Sequence, residues 1–186
     1  GILATDRRMV DSDGSGSVVG FDTRYKFNKT YQMEIQTLFS KTQEPTDSLL
    51  VSNATFGNDN SFTFDGESFT GNAVELEFRR ETEHWGLETG YDHKTPTFRA
   101  DNGFISNNNQ RRVYLQSFWV YTPDKLISKI VGGFHTGLEY NFDGKKKSRY
   151  TSFFGNVVLP RQTRLNVNIT VIPFERFKAT DLENLW

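Results

Sequence analysis

The stretch "VGFDTRYKFN" (residues 19–28) decides the fold class of this chain. Apolar or hydroxyl-bearing side chains take every second position, and three of the positions between them carry charge. Successive side chains of a β-strand point to opposite faces, so this pattern predicts a strand with one apolar and one charged face. The residues of the apolar face are Val19, Phe21, Thr23, Tyr25 and Phe27.

The same alternation recurs along the chain and predicts an antiparallel sheet of about nine strands. Clear repeats are "YQMEIQTLF", "AVELEFRR", "WGLETGYD", "FHTGLEYNF" and "RLNVNITVI". We expect a further short hairpin within residues 47–70. The expected strands lie near residues 2–9, 18–27, 31–40, 72–81, 84–93, 111–121, 126–141, 149–159 and 163–172.

The connections between these strands alternate in length. Bacterial outer-membrane barrels combine short periplasmic turns with longer outer loops, and their strands are about ten residues long. Residues 1–186 are therefore predicted to form an all-β, antiparallel, transmembrane-type β-barrel of about 8–10 strands, or an internal fragment of a larger barrel. The short connections are 28–29, 81–84, 122–125 and 160–162, and the long ones are 8–17, 41–72 and 93–110.

Composition excludes several classes of function. The 22 Lys and Arg residues nearly balance the 23 Asp and Glu residues, so no excess of positive charge attracts nucleic acid. The chain has no cysteine, which excludes a disulfide scaffold, a thiolate zinc site and a cysteine nucleophile. No run of about 18 apolar residues is present to form a transmembrane helix.

Two other classes of protein are alternatives to the membrane barrel. A soluble antiparallel sandwich or barrel also alternates, and it would bind carbohydrate or a partner protein, with a calcium loop as an added feature. A hydrolase would need paired carboxylates, and Glu75 and Glu77 are neighbours on one strand face. We expect these two to pair with Arg79 and with arginines of adjacent strands, and we predict no catalytic residue and no enzyme activity.

The stretch "DSDGSGSVVGFD" (residues 11–22) has the residue spacing of an EF-hand calcium loop. Its flanks are strand-like, whereas an EF-hand needs a helix on each side. A calcium ion held between strands needs only converging oxygens. Calcium is the one cofactor that the sequence suggests. The alternative is a loop built from ordinary turn residues. The candidate ligands are Asp11, Asp13, Ser15, Ser17 and Asp22.

Aromatic side chains next to two short turns are candidates for a membrane interface. Outer-membrane barrels carry aromatic girdles where their strands leave the hydrocarbon layer. A sugar-stacking platform or an ordinary protein core would use the same residue types. The predicted interfacial residues are Trp85, Phe118, Trp119 and Tyr121.

Three short motifs follow one another as "TDR" (residues 5–7), "GFD" (20–22) and "FRADNGF" (98–104). In this order they resemble a barrel-like domain of unknown function that follows a family-9-like carbohydrate-binding domain in large bacterial outer-membrane proteins. The resemblance covers residues 1–125, and "SNNNQRR" (106–112) departs from the Arg and Asp usual there. It implies a bacterial outer-membrane location, outer-membrane lipid as partner, and association with glycan through the rest of a larger chain. From the barrel prediction and the resemblance together, we expect a structural, anchoring or pore-forming role.

Overall fold

A computed structural model describes residues 1–57, 59–100, 107–123, 127–161 and 163–172 of the chain. The described residues form eleven β-strands and no helix. The strands are β1 (Ile2–Arg8), β2 (Ser15–Phe27), β3 (Tyr31–Gln43), β4 (Thr55–Phe56), β5 (Asn60–Ser61), β6 (Ser68–Glu81), β7 (Trp85–Lys94), β8 (Gln110–Tyr121), β9 (Lys129–Tyr140), β10 (Lys146–Val158) and β11 (Arg164–Val171).

Nine of these strands form one antiparallel sheet, in the order β1-β2-β3-β6-β7-β8-β9-β10-β11. Every pair of neighbours in the sheet is consecutive in the chain, apart from the small β4–β5 hairpin between β3 and β6. The all-β antiparallel prediction is confirmed, and so is the short hairpin within residues 47–70. β1 and β11 are the two edges and do not pair with each other, so the described part of the chain is an open sheet.

The strand registers keep alternate residues on the same face across the whole sheet. Asp22 lies opposite Gln36, and the same row continues through Glu75 to Asp92. We call the face that bears this row the polar face, and we call the opposite face, which bears Phe21, the apolar face. The alternation in the sequence is thus converted into two chemically distinct surfaces.

Local hydrogen bonds from side chains close the two tightest hairpins. Asn28 takes a left-handed backbone conformation (φ 53°), and its Oδ1 accepts a hydrogen bond from the N–H of Thr30 at 2.8 Å. In the next short turn, the hydroxyl of Thr82 donates to the carbonyl of Trp85 at 2.7 Å. Such bonds are why Asn and Thr favour turns, and they fix one end of the sheet.

The opposite end of the sheet carries the longer connections, including residues 44–67 and 95–109. The backbone of Phe98 lies so close to Gly71 of β6 that no Cβ would fit there. The N–H of Arg99 also donates to the hydroxyl of Ser40 in β3, at 3.2 Å. Since Gly71 and Ser40 are both on the polar face, the segment around Phe98 folds over that face.

Tyrosine rings on the polar face lie over glycines of the neighbouring strand. A Cβ at Gly90 would come within 2.6 Å of the Tyr114 ring, and a Cβ at Gly137 within 2.7 Å of the Tyr150 ring. The missing side chain therefore makes the space in which each ring lies. From its place over β7, Tyr114 reaches β6, where its hydroxyl donates to Oε2 of Glu77 at 3.2 Å.

Replacing Gly90 with Ala should lower the free energy of unfolding by about 1–3 kcal/mol, because the added methyl forces the Tyr114 ring off its site. Denaturant unfolding in a solvent that keeps the chain monodisperse measures this. Gly155→Ala is the matched control, since a Cβ there meets no atom within 4 Å. Equal losses for the two variants would contradict this account of the glycine.

Candidate functional site: the two faces of the sheet

Large side chains on the apolar face are exposed along most of the sheet. Phe21 is 48% exposed in β2, Val113 54% in β8 and Val167 60% in β11. An exposed apolar surface of this extent is rare on soluble monomers and marks a site of contact with another molecule or with lipid. The exposed large residues at apolar-face positions are Ile2, Val19, Phe21, Tyr25, Phe27, Met33, Phe39, Leu76, Val113, Trp119, Tyr121, Leu138, Tyr140, Phe153, Leu165, Val167, Ile169 and Val171.

Buried strand residues lie mostly on the polar face. Ser117 is the exception among them, because it is buried on the apolar face and donates to the carbonyl of Gly86 at 3.0 Å. A soluble sheet normally buries its apolar face and exposes its polar face, so the distribution here is reversed. Besides five glycines (Gly20, Gly71, Gly86, Gly90 and Gly137), the buried polar-face residues are Val18, Ser40, Thr42, Phe69, Ala73, Asp92 and Gln110.

Asp92 is the centre of a buried polar network. It is 7% exposed. Nε of Arg112 donates to its Oδ2 at 2.6 Å, and Nε2 of Gln110 donates to its Oδ1 at 3.1 Å. These two bonds satisfy both oxygens of a carboxylate that has lost most of its contact with water.

A second network joins β6 and β7 on the same face. Nη2 of Arg79 lies 2.8 Å from Oε1 of Glu77, and its Nε donates to Oε2 of Glu88 at 3.1 Å. The predicted pairing of Glu77 with Arg79 is therefore confirmed. Glu75 takes the predicted place beside Glu77 on the polar face. Further along the face, the hydroxyl of Tyr150 lies 2.9 Å from Nε2 of His135.

Three of the four predicted interfacial aromatics share the apolar face at the short-turn end. Trp85 begins β7, and Trp119, which lies opposite it, is followed by Tyr121 at the end of β8. Trp119 is 51% exposed and Tyr121 is 65% exposed. Phe118 has to be corrected, because alternation turns it to the polar face, where its ring covers Gly86.

Sequence reasoning missed the continuation of this aromatic band on β2, β3 and β6. The Phe27 ring stacks on Tyr31 with centroids 5.4 Å apart, and Phe78 lies 6.0 Å from Tyr31. The guanidinium of Arg80 lies 4.2 Å from the centre of the Trp85 ring and links the two parts of the band. The sequence already contained two signals for Phe27, Tyr31 and Phe78: each belongs to the apolar set of its strand, and each lies near a short turn.

The five predicted calcium ligands are not brought together. Asp11 and Asp13 lie in the turn before β2, whereas Ser17 is within β2 and its hydroxyl donates to Oδ1 of Asp6 at 2.6 Å. Asp22 is further along the strand, and at a strand rise of ~3.3 Å per residue it is ~17 Å from Ser17. Asp22 instead pairs with the amino group of Gly1, at 3.4 Å. The remaining candidate, Ser15, is the first residue of β2.

Three other acidic side chains do converge, at the two ends of the 44–67 connection. One carboxylate oxygen from each of Glu44, Asp65 and Glu67 lies within 4.8 Å of the other two. Burial raises the pKa of Glu44 above its usual range, Arg99 opposes this shift, and Glu67 and Asp65 add to it. Sequence reasoning missed this cluster, although the turn-forming "DGE" (residues 65–67) was a signal.

Comparison of this chain with protein-family models, with curated proteins and with solved structures gives no match. A search of the described residues finds no helix with the length and hydropathy needed to cross a membrane. The resemblance of the three motifs to an outer-membrane family therefore stays a prediction. In the structure, "TDR" lies in β1 and "GFD" in β2, while residues 101–104 of the third motif lie outside the described residues.

Replacing Asp92 with Asn should lower the free energy of unfolding by about 2 kcal/mol, because a charge-assisted bond to Arg112 becomes a weaker neutral one. Denaturant unfolding measures the loss. Glu34→Gln is the control, since the Arg24–Glu34 pair (2.9 Å) is more exposed and exposed pairs contribute little. A loss for Glu34→Gln as large as that for Asp92→Asn would show that burial does not set the strength of the Asp92 network.

Proposed function

We propose that this chain is a non-enzymatic segment of a transmembrane β-barrel in the bacterial outer membrane, with a structural, anchoring or pore-forming role. The observation that carries this proposal is the exposure of the apolar face together with the buried polar network around Asp92 on the polar face. In a bilayer the apolar face contacts acyl chains and the polar face lines the interior of the barrel. The proposed link to a glycan-related surface protein rests on the motif resemblance alone.

The aromatic band supports a defined orientation of the sheet. Tyr and Trp side chains are enriched where barrel strands leave the hydrocarbon layer, because one part of the ring system is apolar and the other is polar. Tyr31, Trp85 and Tyr121 meet this description at the short-turn end. Arg80, over the Trp85 ring, supplies the kind of long cationic side chain that reaches the headgroups. On this proposal the short turns face the periplasm and the long connections face outward.

The stagger of the strands also supports a barrel. A row of paired residues starts at Phe27, the last residue of β2, and runs through Arg80 and Leu87 to Ser117. Ser117 is not the end of β8, which continues to Tyr121, so the ends of the strands are staggered. Strands of a closed barrel are tilted and sheared in this way. In hydrocarbon the free edges of β1 and β11 would leave backbone groups unsatisfied, so the proposal requires further strands to pair with both.

Val113→Arg tests whether the apolar face contacts lipid. Val113 is in the central part of β8 and is exposed, so an arginine there should cost about 2–4 kcal/mol in a bilayer but less than about 0.5 kcal/mol in water. The free energy of unfolding is measured in phospholipid vesicles. Gln116→Arg, on the polar face of the same strand, is the matched control and should cost less than Val113→Arg.

Two outcomes would overturn the proposal. One is a wild-type chain that is folded and monomeric in buffer without detergent. The other is a Val113→Arg variant as stable in vesicles as the wild type. The first outcome would direct attention to the soluble carbohydrate-binding or protein-binding alternative.

A further inference from the structure

We infer that Glu44, Asp65 and Glu67 form a binding site for a calcium ion, and that the ion holds together the two ends of the 44–67 connection. This inference concerns a connection outside the strands of the large sheet. It therefore stands or fails independently of the proposed membrane function.

The two ends of the connection are already side by side. The N–H of Glu44, which directly follows β3, donates to the carbonyl of Glu67, which directly precedes β6, at 2.9 Å. Two residue pairs further out, Thr46 and Asp65 form an isolated antiparallel bridge. We call these paired ends, residues 44–46 and 65–67, the neck. The three carboxylates are therefore carried by backbone that is fixed before any ion binds.

Glu44 provides an observation that is independent of the clustering of acidic groups. Its side chain is 1% exposed. Nη1 of Arg99 lies 2.8 Å from Oε1, whereas Oε2 has no hydrogen-bond partner among the described residues. A buried carboxylate oxygen normally has a partner, because burial without one is costly.

The charge balance of the neck favours a divalent ion. Three ionised carboxylates and one guanidinium leave two negative charges uncompensated. The guanidinium of Arg99 also lies 5.2 Å from the centre of the Phe56 ring and 4.8 Å from that of Phe69, so its pair with Glu44 is packed against two rings. Arg99 therefore neutralises one carboxylate charge of the cluster.

The donor set favours calcium over other divalent ions. All three side chains offer carboxylate oxygens, which suit hard cations such as Ca²⁺ and Mg²⁺. Mg²⁺ requires near-octahedral geometry and rarely takes several carboxylates, whereas Ca²⁺ accepts six to eight oxygens in flexible geometry. Asp65 is exposed, so an ion has access from solvent and water can supply the remaining ligands.

Calorimetric titration of the whole chain with calcium chloride tests the site. Wild-type protein should bind Ca²⁺ with a Kd of about 10⁻⁴–10⁻³ M, the range of extracellular calcium modules. Asp65→Asn and Glu67→Gln each remove a charged ligand while keeping an amide oxygen, and each should weaken binding at least about tenfold. Asp47→Asn is the matched control, because Asp47 lies in the same connection but outside the cluster. It should bind as the wild type does.

Limited proteolysis gives a second measurement, with circular dichroism to show that each variant is folded. Ca²⁺ should slow cleavage within residues 44–67 in the wild type and in Asp47→Asn, and not in Asp65→Asn. Absence of Ca²⁺ binding at about 10 mM, well above the expected range, would overturn the inference. So would equal binding by all four proteins, or Mg²⁺ binding as tight as that of Ca²⁺.

Discussion

Each hydrogen-bonded pair of strands in the large sheet fixes the face on which its side chains lie. Because the side-chain period is two, a slip of one residue would move a whole apolar set to the other face. The β9–β10 pair shows how this is avoided. Lys146 lies opposite Tyr140, but Ser148 lies opposite Glu139, so one residue of β10 bulges. The bulge absorbs Lys147, and Phe153 then lies opposite Phe134 on the apolar face.

The two faces meet opposite physical requirements. In water the apolar face would have to be covered, because exposure of so many Phe, Val, Leu and Ile side chains is unfavourable. On the polar face, the Asp92–Arg112 pair replaces hydrogen bonds to water with hydrogen bonds within the protein. Tyr114 adds to the same layer by filling the space over Gly90. A sheet of this kind is stable where its apolar side contacts hydrocarbon, which is the argument for the membrane proposal.

The strands could be predicted from sequence because alternation is a local property. The faces of the alternating strands followed from the same rule. The strand that contains Phe118 is apolar on both sides, and naming Phe118 together with Trp119 as interfacial was wrong, because adjacent residues of a strand point in opposite directions. The predicted calcium loop failed for a related reason. Ligands close in sequence converge only if the chain turns, and residues from Ser15 onward run straight along β2.

Features that depend on which strands are neighbours could not be predicted from the alternation in the sequence. The partner of Asp92 is Arg112, and only the β7–β8 register places them opposite each other. The neck joins Glu44 to Glu67 because a long connection returns to its starting point, and alternation gives no information about this. A motif such as "DGE" (residues 65–67) shows where the chain turns but not what it turns toward.

The two ends of the sheet connect their strands differently, and on the membrane proposal this difference gives the sheet an orientation in the bilayer. At the short-turn end, Asn28 and Thr82 satisfy backbone groups within single turns, so these two turns need no contacts outside themselves. At the other end, the 44–67 connection is too long to be fixed by its own turn. It is fixed by the pairing of the neck, by packing around Phe56 and, on our inference, by calcium. Calcium sites of the expected affinity fill at the calcium concentrations found outside cells, so an ion at the neck and long connections facing outward imply the same orientation.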